Sequence, residues 1–311
     1  MKKNYKEANQ GLVVILGNGF DIDLGYPTRY QDFVNNDNPR ESGGFPFVRG
    51  GNDYNALGKY VLDAAIRQWY DLENVLSEYG ELHKYSSKTD GDKEDYLRLI
   101  QALSLYLSSI DYSHPKRDSV AALLWNSFKD SKSFPFVYSF NYTNLSKIGG
   151  YIGLGIAPIF HVHGSLDNND IILGVGDYST LSNSTDFLYK TSNPKYKSTR
   201  LLDDLDTCRQ IIFFGQSLSK VDYPYFEGFF KKVAMGEYVG DRKKYIRIFT
   251  YDESSRMNIL RNLRNMNKGM IALSNYSDFD IIRTKDNMDQ SKVEDVISRL
   301  KGDDALGATR E

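Results

Sequence analysis

The chain has 311 residues, 41% of them apolar or aromatic and 26% charged, which is enough to bury one substantial core. With 39 Lys and Arg against 41 Asp and Glu, the formal net charge of −2 excludes a global attraction to nucleic acid or anionic membrane and leaves only local basic patches. The single cysteine, Cys208, excludes an intramolecular disulfide framework and any multi-cysteine zinc site, and suits a reducing compartment.

The first ten residues are polar and basic, and the apolar run at 12–16 is too short for a signal-peptide core or a membrane span. No run of about eighteen apolar residues follows, so a soluble cytoplasmic protein is expected, with no membrane partner. The run 12–16 is rich in β-branched residues and ends in Gly17-Asn18-Gly19, the pattern of a buried parallel strand entering a glycine turn. That turn, continuing through Phe20 and Asp21, reads in two ways. It is a tight link between strand and helix, or a cradle that lets the backbone approach a phosphate-bearing ligand, although the last glycine of G-x-G-x-x-G is missing. Asp21 either caps the helix or adds negative potential beside a ligand. Pro27 and Thr28 mark a further helix start, where Arg29 either is solvated or faces an anion. The Gly-rich polar stretch 40–53 predicts a loop.

From 55 to 129 the period becomes helical. Leu57, Val61, Ala64, Gln68, Leu72, Val75 and Tyr79 predict one long helix, and Tyr96, Leu99, Ile100, Leu103, Leu107 and Ile110 a second. A polar break at 84–93 separates them, and a third helix is expected at 119–128. Together they form a helical module inserted in, or capping, a sheet. Asp71 and Glu73, two apart on a helix, do not face each other and are not an acid–base pair. Glu73 reads as a surface carboxylate or, alternatively, one that reaches the cleft, and Trp69 as a packing residue.

Apolar runs at 136–140, 159–162, 171–173, 211–214 and 246–250 predict further strands. After the first, Asn141 is either a turn former or a donor and acceptor for a ligand amide or a water. In His161-Val162-His163-Gly164-Ser165 the two histidines share a strand face, which would suit a metal. No carboxylate joins them at useful spacing, so no metal is expected. A single catalytic His163, with Gly164 opening room beside it, is more economical, and a core histidine is the plain alternative. The Ser-, Thr- and Asn-rich stretch 178–197 predicts a lid or a disordered connection. Gly215 and Ser217 form a second candidate nucleotide-cradling turn. Asp252 either caps the next helix or reaches a ribose hydroxyl. Helices are expected after Asp222, Glu253 and Ser291. Arg261, Arg264 and Lys268 share a helix face near Arg242, Lys243 and Lys244, and read as solvated charge rather than a nucleic-acid surface. The domain division expected is a core of 9–50 plus 132–301, a helical insertion at 51–131 and a flexible tail at 302–311.

Polar groups at every strand end predict one shared cleft in an open α/β sheet. The segments GNGFDIDLGYPTRYQDF, WYDLE, FNYTN, HVHGS, IILGVGD and FFGQSLSKVDYPYF, in this order between residue 13 and about 252, resemble the bacteriophage abortive-infection AbiH family. That family is in turn distantly similar to the sirtuin-type NAD-binding fold, with the shared positions falling on Gly17, Gly19, Gly25, Pro27, Asn141, His163, Gly164, Gly215 and Ser217. The resemblance implies a Rossmann-like open parallel sheet with a helical insertion, and a role in phage defence. It implies NAD as substrate or ligand, with Asn141 and His163 flanking the nicotinamide ribose and Gly215 and Ser217 touching the adenosine half.

The zinc-binding cysteines of sirtuin deacetylases are missing, and Asp21 stands where those proteins tend to carry Ser. Cleavage of NAD to nicotinamide and ADP-ribose is therefore the better inference than deacetylation. Asn141, His163 and Asp21 are then the catalytic candidates. Gly17, Asn18, Gly19, Phe20, Pro27, Arg29, Gly164, Gly215, Ser217 and Asp252 are the binding candidates, with Tyr26 and Tyr142 as further cleft-lining aromatics. Competing expectations are a module that senses NAD or an ADP-ribose derivative without cleaving it and, behind that, a metal-dependent nuclease. A free NAD hydrolase would harm its host, so restraint by homo-oligomerisation or by the loop 178–197 is expected, released by a phage-derived trigger.

Overall fold

The computed structural model describes residues 11–34, 55–66, 71–85, 91–129, 135–145, 148, 159–177, 179–197, 199–238, 240–267 and 270–302. The expected loop at 40–53, Gln68, Trp69, Tyr178, Lys268 and the tail beyond Gly302 lie outside the described residues.

Among the described residues six strands form one sheet: β1 (Leu12–Leu16), β2 (Pro135–Ser139), β3 (Ile159–His161), β4 (Gln210–Phe214), β5 (Tyr245–Thr250) and β6 (Asp278–Arg283). All neighbours are parallel, in the order β3-β2-β1-β4-β5-β6. This is the Rossmann-like arrangement, in which the chain winds outward in both directions from β1. A strand covered on both faces gains nothing from polar alternation, so β1 reads LVVIL and every residue in it is buried.

Alternate residues of the strands feed two cores. On one face Leu12, Val14, Leu16, Phe214 and Phe249 pack with α6 (Val120–Lys129) and α11 (Gln290–Lys301). On the other, Val13, Ile15, Phe213 and Ile248 pack beneath α7 (Leu201–Thr207), α8 (Tyr223–Ala234), α9 (Glu253–Asn267) and α10 (Ile271–Tyr276). Between β1 and α6 lie the short helices α1 (Asn18–Asp23) and α2 (Tyr30–Val34), and then α3 (Ala56–Ile66), α4 (Leu72–Leu82) and α5 (Asp92–Ser109).

Helices α3, α4 and α5 build a third core with Phe33, Leu173 and Leu188. The first turn of α5 ties it to α3, because Asp92 accepts from the amide of Leu57 and Asp95 from that of Gly58 at 2.9 Å. Those amides have no partner within their own helix, so buried carboxylates satisfy them.

Several expectations differ from the structure. The long helix foreseen from Leu57 to Tyr79 is two helices. Asp71 is extended and its Oδ1 accepts from the amides of Glu73 and Asn74, which starts α4 afresh. The apolar spacing runs across this break in phase and hides it. Helix α6, expected in the helical module, packs on the sheet, and Asp23 of α1 accepts from its Ala121 amide at 2.7 Å. The run 171–173 is no strand of the sheet. Ile172 donates to the His163 carbonyl, and the Leu173 carbonyl accepts from Tyr96. The sequence predicts no strand at β6, since Asp278-Phe279-Asp280 lacks an apolar run. Of the stretch 178–197, the described residues 179–197 are folded. Val175 and Tyr189 form a bridge, Asp186–Leu188 and Lys190–Ser192 are 3₁₀ turns, and Leu188 and Lys190 are buried. Among the described residues no helix is long and apolar enough to cross a membrane.

Gly215 has φ +66°, and a Cβ there would lie 2.3 Å from the Cα of Gly19. Gly215→Ala should therefore cost about 3 kcal/mol or more in denaturant unfolding. Gly228, on an exposed face of α8 with open space where a Cβ would stand, supplies the contrast. Gly228→Ala should add about 0.5–1 kcal/mol through helix propensity.

Candidate functional site

The strand order reverses between β1 and β4, so the connections leaving their carboxyl ends diverge and open a crevice there. Its floor is the pair of glycine turns. Gly17 N–H donates to Phe214 O (2.9 Å) and Gly19 N–H to Gly215 O (3.1 Å). The crevice is a cavity of about 450 Å³, within the range of small-molecule sites. Gly17, Asn18, Gly215 and Ser217 line it from the floor, and Asn141 and His163 from the ends of β2 and β3. Tyr30 of α2 closes it together with Asp71, Glu73, Leu103 and Leu107 of the helical module.

Asp21 is buried in α1 with its Oδ2 accepting from Thr143 Oγ1 at 2.6 Å, while its buried Oδ1 has no partner among the described residues. Burial pushes its carboxyl up to about 7, against the lowering effect of Thr143 and Asn141. Asn141 Nδ2 donates to the Gly17 carbonyl at 3.0 Å, which locks the end of β2 to the floor. Asn18 and Thr28 exchange hydrogen bonds and hold the turn at 25–29 against the same floor.

A second cluster joins the cap to the sheet. The Lys190 ammonium contacts Glu73 Oε2 at 2.9 Å and His163 Nε2 at 3.1 Å, with Lys190 only 3% exposed. An ammonium can only donate, so His163 accepts through Nε2 and its neutral ring carries the proton on Nδ1. Burial first, and Lys190 second, hold the His163 pKa well below its ordinary value. The Tyr225 hydroxyl lies 3.3 Å from the same nitrogen. Burial pushes Glu73 up to about 7 although Lys190 draws it down, and pushes Asp222 up to about 6. Gln216 donates to Asp222 at 2.8 Å. Four carboxyls, those of Asp21, Asp71, Glu73 and Asp222, thus face one cavity.

Of the residues singled out in the sequence, Gly17, Asn18, Asp21, Asn141, His163, Gly215, Ser217 and Tyr142 meet in this cavity. The remaining binding candidates, and Tyr26, do not line it. Gly19 packs against Gly215 within the floor. Phe20 is in the core, edge-on to Phe214 and tilted against Trp125. Tyr26 is buried and donates to the Tyr112 carbonyl. Pro27 offers its carbonyl to Tyr106, and Arg29 is half exposed beside Asp32. Gly164 shapes a turn rather than opening the cleft: its φ is +75°, and a Cβ would collide with the Asp170 carbonyl. Asp252 caps α9 through the Ser255 amide. His161 turns its Nδ1 to the Asn141 carbonyl, away from His163's partners. Among the described residues no three His, Cys, Asp or Glu side chains come together as a metal site.

The surface reading of Glu73 is corrected. Asp71 is an extended cap and Glu73 lies in the first helical turn, so the two are not i,i+2 neighbours on one helix and both enter the cavity. The N-cap signature of Asp71 was visible locally. Nothing around Lys190 pointed to its burial.

Fold and crevice together define an open parallel α/β protein with a polar, carboxyl-rich pocket at its strand switch point. A family model described as bacteriophage abortive infection AbiH matches residues 13–239. The chain belongs to this AbiH family, which places it in bacterial defence against phage by abortive infection. No curated protein matches it.

Lys190→Met should cost about 3–5 kcal/mol in denaturant unfolding, because Glu73 is left buried and unpaired. Lys190→Met with Glu73→Gln should recover much of that loss. The carboxyls set the pH dependence. Between about pH 4 and 7 the folded state keeps on Asp21 a proton that the unfolded chain has already released. Stability therefore falls as pH rises through this window, and Asp21→Asn should raise the melting temperature more at pH 8 than at pH 5.

Proposed function

We propose that the crevice binds NAD and cleaves its N-glycosidic bond, releasing nicotinamide and ADP-ribose, and that this is the chemistry behind the abortive-infection role. The observation that carries this reading is Asp21 Oδ1. A buried carboxyl oxygen without a partner costs free energy unless a ligand donates to it. It sits beside Asn141, at the switch point where dinucleotides bind in such sheets. A ribose hydroxyl or the attacking water satisfies it.

Nicotinamide leaves as a neutral ring without needing a proton, so positive charge develops on the ribose in the transition state. Fixed negative groups aimed at that charge lower the barrier. Asp21, Glu73 and Asp222 supply them, and Lys190 balances only part. The same wall repels phosphate, so the diphosphate belongs toward Gly215 and Ser217 with the adenosine half. Asn141, immobilised by Gly17, orients the ribose. His163 is neutral, as a base must be, but its Nε2 already accepts from Lys190. Asp21, titrating near 7, is the better-placed general base for the water. His163 then acts with Lys190 to set the field in the pocket.

Lys190 at 3.1 Å from His163 Nε2 also suits the second reading, in which NAD or an ADP-ribose derivative is sensed and not cleaved. Nicotinamide release from NAD, followed by chromatography beside calorimetric binding, separates the two. Cleavage predicts turnover by the wild type that rises with pH through about 7. Asp21→Asn and Asn141→Ala should lower it at least about 100-fold, with NAD still bound by Asp21→Asn. Tight binding by the wild type with its activating trigger present, and no nicotinamide released, would leave the sensor; no binding at all would remove both.

A further inference from the structure

At the opposite, amino-terminal edge of the sheet lies a second concavity of about 420 Å³, formed where β4, β5 and β6 begin. Arg209 immediately precedes β4, Lys243 and Lys244 precede β5, and Arg299 reaches in from α11. Lys244 has a structural task. Its buried ammonium donates to the carbonyls of Leu205, Asp206 and Cys208 at 2.7–2.8 Å. Arg247 is paired with Asp278 at 2.8 Å. Arg209, Lys243 and Arg299 have no carboxylate partner among the described residues, in a chain whose net charge is −2.

Tyr245 makes this more than a solvated basic face. Its ring carries the Arg247 guanidinium 3.7 Å and the Arg299 guanidinium 4.0 Å from the centroid. Two such groups cannot share one face at those distances, so they sandwich the ring. The Arg299 plane is thereby held in place before any ligand arrives, which lowers the entropy lost on binding. The hydroxyl of this ring, 2% exposed as a residue, is buried without a hydrogen-bond partner among the described residues. Burial raises its pKa to about 12, so it stays a donor at neutral pH.

We propose that this concavity is a second ligand site, separate from the crevice, for a small phosphate-bearing anion with two or more negative charges. Arg209, Lys243 and Arg299 hold the charge, and the Tyr245 hydroxyl donates to an anionic oxygen. Three uncompensated cations suit a diphosphate or phosphomonoester better than a single carboxylate. The site lies at the other end of the strands from Asp21 and Asn141, so it does not depend on the reaction proposed for the crevice.

The test is calorimetric titration of the full chain with inorganic pyrophosphate at low salt. The wild type and Asn141→Ala, altered only in the crevice, should bind alike. Arg209→Gln with Arg299→Gln should bind at least about tenfold more weakly. Tyr245→Phe loses no protein hydrogen bond, so it should keep its melting temperature and bind several-fold more weakly. The proposal is overturned if pyrophosphate does not bind, if the double variant and Tyr245→Phe both bind as wild type, or if Asn141→Ala abolishes binding. A single-stranded oligonucleotide that binds more tightly than pyrophosphate through the same arginines would also overturn it, in favour of a nucleic-acid surface.

Discussion

At the carboxyl ends of β1 and β4, two backbones approach more closely than any side chain would permit. Gly19 and Gly215 meet almost Cα to Cα, and Gly17 lies against Gly215 and Gln216. The approach draws the first helix across the sheet, so that Asp21 falls beneath Thr143 and Asn141 can bond the Gly17 carbonyl. It also sets where the connections after β1 and β4 diverge, and hence where a cavity opens. The crevice, its buried carboxyl and the locked end of β2 all follow from this one steric constraint.

A second interaction closes the crevice from above. Lys190 comes from a loop between β3 and β4, Glu73 from the start of α4, and His163 from just past β3. Their contact binds the helical cap to the sheet through one buried ammonium. Such a pair is a weak source of stability, since both ions are desolvated, but breaking half of it is costly. It therefore acts as a latch, fixing the distance between cap and sheet and with it the shape of the pocket. The Val175–Tyr189 bridge and the burial of Leu188 hold the loop that carries the lysine.

Charge is distributed unevenly in this nearly neutral chain. Carboxyls gather at the carboxyl ends of the strands, and cations at the amino-terminal edge of β4, β5 and β6. The acidic pocket favours a cationic group or developing positive charge. The basic concavity favours an anion. The two ends of one sheet thus offer opposite potentials, a distinction that the overall charge of −2 conceals.

The sequence by itself determined the elements whose cause is local. A doubly buried strand needs a continuous apolar run, and a turn with close backbone approach needs glycine, so β1, β4, β5 and both glycine turns were legible. Asn141 and His163 were legible too, because a polar residue directly after an apolar strand is placed at a strand end by chain continuity alone. Tertiary structure decided what depends on distant partners. β6 has no apolar run to mark it because an edge strand tolerates polar residues. Phe20 went to the core because Trp125, about a hundred residues away, covers it. Glu73, Lys190, Asp222 and Tyr225 carry no local signal. The shifted protonation of Glu73, Asp222 and Tyr225 arises from desolvation among groups brought together only by the fold, and desolvation is a property of the assembled interior rather than of any segment.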